Sequence, residues 1–126
     1  MMKRVETKLA PAAIGPYSQA VICNGMVYTS GQIPLSPADG GIVGTEIREQ
    51  AKQALENLKA VLEAAGSGPE LAVKTTCFLT DMGDFPAFNE VYAQYFPDCP
   101  ARSCVGLSAL PKGVKVEVEA IAQIRE

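Results

Sequence analysis

The last quarter of the chain constrains the fold most. It runs Pro100-Ala101-Arg102-Ser103-Cys104-Val105 and, farther on, Val116-Glu117-Val118-Glu119-Ala120. Both stretches alternate with the period of a half-buried strand, and Leu110-Pro111-Lys112-Gly113 between them reads as a hairpin loop. Closing that hairpin between Leu107 and Val114 sets Cys104 opposite Glu117 and Arg102 opposite Glu119. Directly opposed residues of an antiparallel pair share a sheet face. The expectation is one face bearing an arginine, a thiol and two carboxylates, backed by a core face of Ser103, Val105, Leu107, Val114, Val116 and Val118. On the pattern alone, the plainer reading is a solvated face with a cross-strand Arg–Glu pair.

The rest of the chain supplies the partners. Ala20-Val21-Ile22-Cys23 and Met26-Val27-Tyr28-Thr29-Ser30 flank Asn24-Gly25, a strong hairpin signal because a type I′ turn needs positive φ at both central residues. Ser30 then pairs with Gln19. Residues 31–44, rich in glycine and proline, read as a loop with a short strand at Ile42-Val43. Ile47, Ala51, Ala54, Leu55, Leu58, Val61, Leu62 and Ala65 recur at helical spacing, with Thr45 as N-cap and Gly66 at C′. A strand follows over 71–79, with Val73, Thr75, Cys77 and Leu79 on one face and Cys77 in the core. Asp84-Phe85-Pro86 opens a second helix whose stripe of Phe85, Phe88, Tyr92, Tyr95 and Phe96 is explained by core packing. This order gives an α+β fold, a mixed sheet with two helices on one face. Ile22, Val27 and Ile121 are expected on the uncovered face, and an apolar face of that size implies an oligomer.

Composition excludes several kinds of chemistry. The 126 residues, read as one domain over 1–126, can bury about two-thirds of their unfolded surface without disulfides or metals. There is no histidine, which removes histidine-activated nucleophiles, histidine acid–base pairs and imidazole-ligated metals. Cys23, Cys77, Cys99 and Cys104 show no C-x-x-C spacing, so no metal site is expected and reduced cytoplasmic thiols are the expectation. Eleven Lys+Arg against fourteen Asp+Glu, a net charge of −3 and no basic run make nucleic acid a poor partner. No apolar run suits a membrane span or a leader.

Three runs line up with a known pattern. Ala13-Ile14-Gly15-Pro16-Tyr17-Ser18-Gln19-Ala20, Thr29-Ser30-Gly31-Gln32-Ile33-Pro34, and Ala101 to Val105 with Val116 to Ala122 closely resemble the signature segments of the RidA (YjgF) family. Lys74-Thr75-Thr76 and Asp84-Phe85 through Asn89 to Tyr92 fit the same pattern, so the resemblance covers nearly the whole chain. It implies a chorismate-mutase-like α+β fold and a homotrimer with clefts between subunits. It also implies hydrolysis of reactive 2-imino and 2-aminoacrylate acids to 2-oxo acids and ammonia, without a cofactor. Position by position, Arg102 matches the arginine that binds the substrate carboxylate, and Glu117 the glutamate near the attacking water. Cys104 contributes mainly backbone contacts, while Tyr17, Ser30, Gly31 and Asn89 match the pocket lining. Gly106 departs from the pattern, sitting where the strand usually carries a side chain, as does Leu107-Ser108-Ala109; these put substrate size in doubt more than reaction type.

The chemistry suits the inventory. A guanidinium fork clamps a carboxylate bidentately, and a carboxylate can take a proton from a positioned water and pass one to the departing nitrogen. Two other readings stand beside this one. The first is a small-carboxylate sensor or chaperone without turnover. The second is an endoribonuclease or translation inhibitor, against which the charge and the missing histidine both weigh.

Overall fold

The computed structural model describes residues 2–126. One six-stranded sheet is built from β1 (Met2–Val5), β2 (Ala20–Cys23), β3 (Met26–Thr29), β4 (Ala72–Leu79), β5 (Ala101–Gly106) and β6 (Val116–Gln123), in the spatial order β1-β2-β3-β6-β4-β5. Helices α1 (Ile47–Ala64) and α2 (Phe85–Tyr95) pack against one face. This is the mixed α+β architecture expected. No helix among the described residues is long and apolar enough to cross a membrane.

The first hairpin forms as the Asn-Gly signal requires. Asn24 and Gly25 take φ of 52° and 75°, Ala20 pairs with Thr29, and the Ser30 amide donates to the Gln19 carbonyl at 2.9 Å. In the following loop, Leu35 bridges to Ile42.

Helix α1 begins one residue later than expected. Glu46, not Thr45, is the N-cap: its carboxylate accepts from the amides of Glu49 and Arg48, and Glu49 reaches back to the Glu46 amide, a complete capping box. Gly66 closes the helix at φ 85°. Leu55, Leu58, Val61 and Leu62 are fully buried and belong to one core with Val27, Val118 and Ala120 of the sheet. Asp84 makes no side-chain capping bond to α2, while Pro86 sits in its first turn as expected.

The closing hairpin does not form. Strand β4 inserts between β5 and β6, pairing parallel with the first and antiparallel with the second. Cys104 therefore aligns through Cys77 with Val118 rather than with Glu117. A shift of one residue turns every side chain to the opposite face. Val114, Val116 and Val118 are core as expected, but Ser103, Val105 and Leu107 are exposed. Ile22 and Val27 likewise turn inward, with Val27 fully buried, while Ile121 faces outward in a row with Tyr28. Val73 falls in a bulge between Ala72 and Lys74 and is exposed, leaving Thr75, Cys77 and Leu79 as the buried face of β4.

The face away from the helices is partly apolar. Val21, Tyr28 and Ile121 occupy one row, and Phe78 with Val105 another. Tyr28 is 46% and Val105 41% exposed.

Candidate active site

The register divides the sequence-derived site between two faces of the sheet. Arg102 pairs with Thr75, which pairs with Ala120; all three side chains lie on the helix side. Cys104 lies there too, beside Cys77. Glu117 aligns with Phe78 and Val105, and Glu119 with Thr76 and Ser103, on the open side. The arginine and the two carboxylates expected on one face are therefore separated by the thickness of the sheet. The error has a single cause, the insertion of β4.

The glutamate half-site sits in a cavity of about 440 Å³ lined by Tyr17, Ser30, Gly31, Gln32, Ile33 and Glu117, among others. After β3 the chain continues beside β6, where Gln32 and Val118 exchange backbone hydrogen bonds of 2.7 and 3.0 Å. That ladder lays Gly31 against the Glu117 side chain so closely that a Cβ at 31 would overlap the carboxyl, 2.7 Å from Cδ. The constraint at 31 comes from the Glu117 side chain rather than from backbone angle. Ser30 Oγ donates to the Ser18 carbonyl at 2.6 Å and anchors the 13–18 segment.

Buried Gln19 fixes the preceding arm. Its Oε1 accepts from the Thr7 amide at 2.7 Å, and its Nε2 donates to the carbonyls of Pro11 at 2.8 Å and Thr7 at 3.1 Å. Tyr17 is thereby held at the mouth, 50% exposed, where it also lines a larger neighbouring cavity of about 780 Å³. Behind the wall formed by Ile33 and Leu35, buried Asn57 of α1 donates to their carbonyls at 3.0 and 2.9 Å. Burial, and then the like charge of Glu119, holds the Glu117 carboxyl above the usual carboxylate range.

The arginine half-site is built by helix α2. Arg102 Nη1 donates to Asn89 Oδ1 at 2.8 Å, and its guanidinium carbon lies 4.7 Å from the ring centre of Tyr92 and 5.3 Å from that of Phe85. Burial raises the Cys104 thiol, with Arg102 pulling the other way, and burial pushes Cys77 up to about 12. Neither thiol is an activated nucleophile in this setting. Gly106 admits the Met82 side chain, whose Cγ a Cβ there would meet at 2.9 Å.

Tyr17, Ser30, Gly31 and Glu117 line one cavity, whereas Asn89, expected in the same lining, lies beside Arg102 instead. Sequence reasoning missed Pro11, Ala12, Leu35 and Pro111 of the cavity wall, and it assigned Phe85 and Tyr92 to the core alone. The 85, 89, 92 spacing marks one helix face and was the available signal.

The sheet order, with two helices on one face, defines an α+β class of fold. The chain belongs to the family described as endoribonuclease L-PSP, the YjgF/RidA family, whose model matches residues 7–124. It is 50% identical over 126 residues to the 2-iminobutanoate/2-iminopropanoate deaminase of Salmonella typhimurium, covering 97% of this chain and 98% of that protein. It is also 50% identical over 125 residues to AldR of Lactococcus lactis, named as a candidate regulator, covering 98% and 99% respectively. Among solved structures, that of Escherichia coli TdcF with bound serine superposes with a TM-score of 0.92 at 48% identity, covering 98% of this chain and 99% of that one.

Proposed function

We propose that the protein hydrolyses reactive 2-imino acids, and the 2-aminoacrylates that tautomerise to them, to 2-oxo acids and ammonia. The observation that carries this reading is the Glu117 carboxyl held over Gly31 in a cavity large enough for a small acid. Arg102, which must supply the carboxylate clamp, is oriented on the opposite face. One chain cannot bring both groups to one small molecule. The reading therefore includes a closed ring of three copies, in which the β5 edge of one subunit covers the Glu117 cleft of the next. The exposed apolar face with Tyr28 and Val105 supports such a contact.

In that cleft Arg102 holds the substrate carboxylate and presents the C=N carbon to a water beside Glu117. Glu117 takes a proton as the water oxygen bonds to carbon and returns it to nitrogen. Glu117 then carries the hydroxyl proton of the carbinolamine to the nitrogen, so that ammonia leaves as the C–N bond breaks and the carbonyl forms. Hydrolysis of such imines is already facile in water, so the site need contribute only a few kcal/mol. The Salmonella relative's name supports this class of substrate. An RNA-cleaving reading, which the family description suggests, has no histidine and no basic stripe to support it. Carboxylate sensing without turnover is the second reading, favoured by the name of the Lactococcus relative.

The test is ammonia release from 2-aminoacrylate generated by a pyridoxal-phosphate dehydratase. A rate above the spontaneous one is expected, and Arg102→Lys should lower kcat/KM by about 30- to 1,000-fold, because the bidentate pair is worth about 2–4 kcal/mol. Tight 2-oxo acid binding with no acceleration would favour the sensor. An unchanged Arg102→Lys enzyme would remove the clamp.

A further inference from the structure

One face of α2 is shaped to the Arg102 guanidinium. Phe85, Asn89 and Tyr92 are spaced as successive turns of one helix stripe, and all three touch the same group. Asn89 accepts from Nη1 at 2.8 Å, while the two rings lie 5.3 and 4.7 Å from Cζ. Tyr92 is itself tied down. Its hydroxyl shares a 2.6 Å hydrogen bond with Thr75 Oγ1, and its ring stacks between Phe88 and Phe96 at 5.7 and 4.8 Å. Thr75 is the direct cross-strand partner of Arg102. Tyr92 thus closes a triangle, bonded to the strand beside the arginine and packed beneath the arginine itself.

We infer that Tyr92 is a positioning residue that sets the plane of the Arg102 guanidinium, with Thr75 fixing the ring and Phe85 bracing the group. An exposed arginine samples many rotamers and loses that freedom on binding. A guanidinium already held against an aromatic ring loses less, and the fork is pre-organised for a planar carboxylate. Asn89 occupies one of the five N–H donors. Among the described residues this is the one side-chain hydrogen bond that Arg102 makes, so the rest of the fork is left for a ligand. Asn89 accordingly acts through Arg102 rather than on the ligand. Phenol ionisation would add an ion pair to this contact, but burial of Tyr92 disfavours it. The ring works as a neutral surface.

The inference rests on the carboxylate-clamp part of the proposed function and is tested by binding rather than by turnover. Affinity for 2-oxobutanoate is measured by calorimetry for the wild type, Tyr92→Phe, Tyr92→Leu and Phe85→Leu, each checked for a folded, assembled state. Tyr92→Leu should weaken binding by about 5- to 30-fold, the range of a desolvated cation–π contact. Tyr92→Phe keeps the ring and should stay within about 3-fold of wild type. Phe85→Leu, at the first turn of α2, provides the same test where Tyr92→Leu fails to fold. In an Arg102→Ala background, Tyr92→Leu should add no further loss. Equal losses in both backgrounds, or wild-type affinity in folded Tyr92→Leu, would overturn the positioning role. If the wild type binds 2-oxobutanoate but does not accelerate imine hydrolysis, the deaminase reading fails while the cradle stands. If the wild type does not bind it, the clamp and the cradle fail together.

Discussion

Gly31 and Glu117 are held together by the Gln32–Val118 ladder, so that a side chain at 31 would occupy the place of the Glu117 carboxyl. Gly31→Ala should therefore push the carboxyl out of place. The expected cost is about 1–3 kcal/mol of stability from overpacking, with a fall of at least about 10-fold in kcat/KM. Thermal unfolding of Gly31→Ala combined with Glu117→Ala provides the check. Most of the lost stability should return there while activity does not. If the double variant is as unstable as Gly31→Ala alone, the clash lies elsewhere.

The face separation of Arg102 and Glu117 makes a quantitative prediction about mixed assemblies. Light scattering should find a particle of about 40 kDa, three times the 13.3 kDa chain. Arg102→Ala and Glu117→Ala should each be nearly inactive. Refolded together in equal amounts, they should recover about a quarter of the wild-type activity, because statistical mixing leaves about one cleft in four with both groups intact. No recovery from properly mixed trimers would mean that each cleft draws both residues from one chain.

Ionisation of Glu117 provides a third test. In a subunit without a neighbouring guanidinium, burial and Glu119 hold the carboxyl above its ordinary value of 4.5. The native state then binds more protons than the unfolded chain between the two values, so stability falls as pH rises through that window. In an Arg102→Ala background, Glu117→Gln should accordingly raise Tm at pH 7, and the gain should vanish below pH 4.5. With Arg102 present the gain should be smaller, since an opposite charge favours the ionised form. A gain independent of pH would show that the carboxyl does not titrate differently in the folded state.

Tyr17 provides a fourth. At 50% exposure it is not a core residue, although a tyrosine after Gly15-Pro16 could have been one. Tyr17→Phe should leave Tm nearly unchanged, since surface substitutions usually lie within about 0.5 kcal/mol, while altering turnover. Unchanged kinetics with a clear drop in Tm would return Tyr17 to a packing role.

The sequence carried local information well and long-range order poorly. Asn24-Gly25, the α1 periodicity and Gly66 each encode their own geometry within a few residues, and each appears where expected. The pairing of 101–106 was not local. Alternation specifies that a strand is half-buried but not which strand lies beside it, and β4 lies more than twenty residues upstream of β5. Arg102 and Glu117 read as sharing one face, and the inserted strand puts them on opposite ones. Phe85 and Tyr92 read as core with Phe88, Tyr95 and Phe96 until Arg102 is placed above them.

Among the described residues, strand β5 pairs with no strand but β4. An outermost strand opens at lower free energy than one bonded on both sides. Amide exchange should therefore be fastest, among the longer strands, across the segment that carries Arg102. Any contact that covers this edge would slow that fraying and steady the arginine, linking the order of the clamp to the concentration of the protein itself.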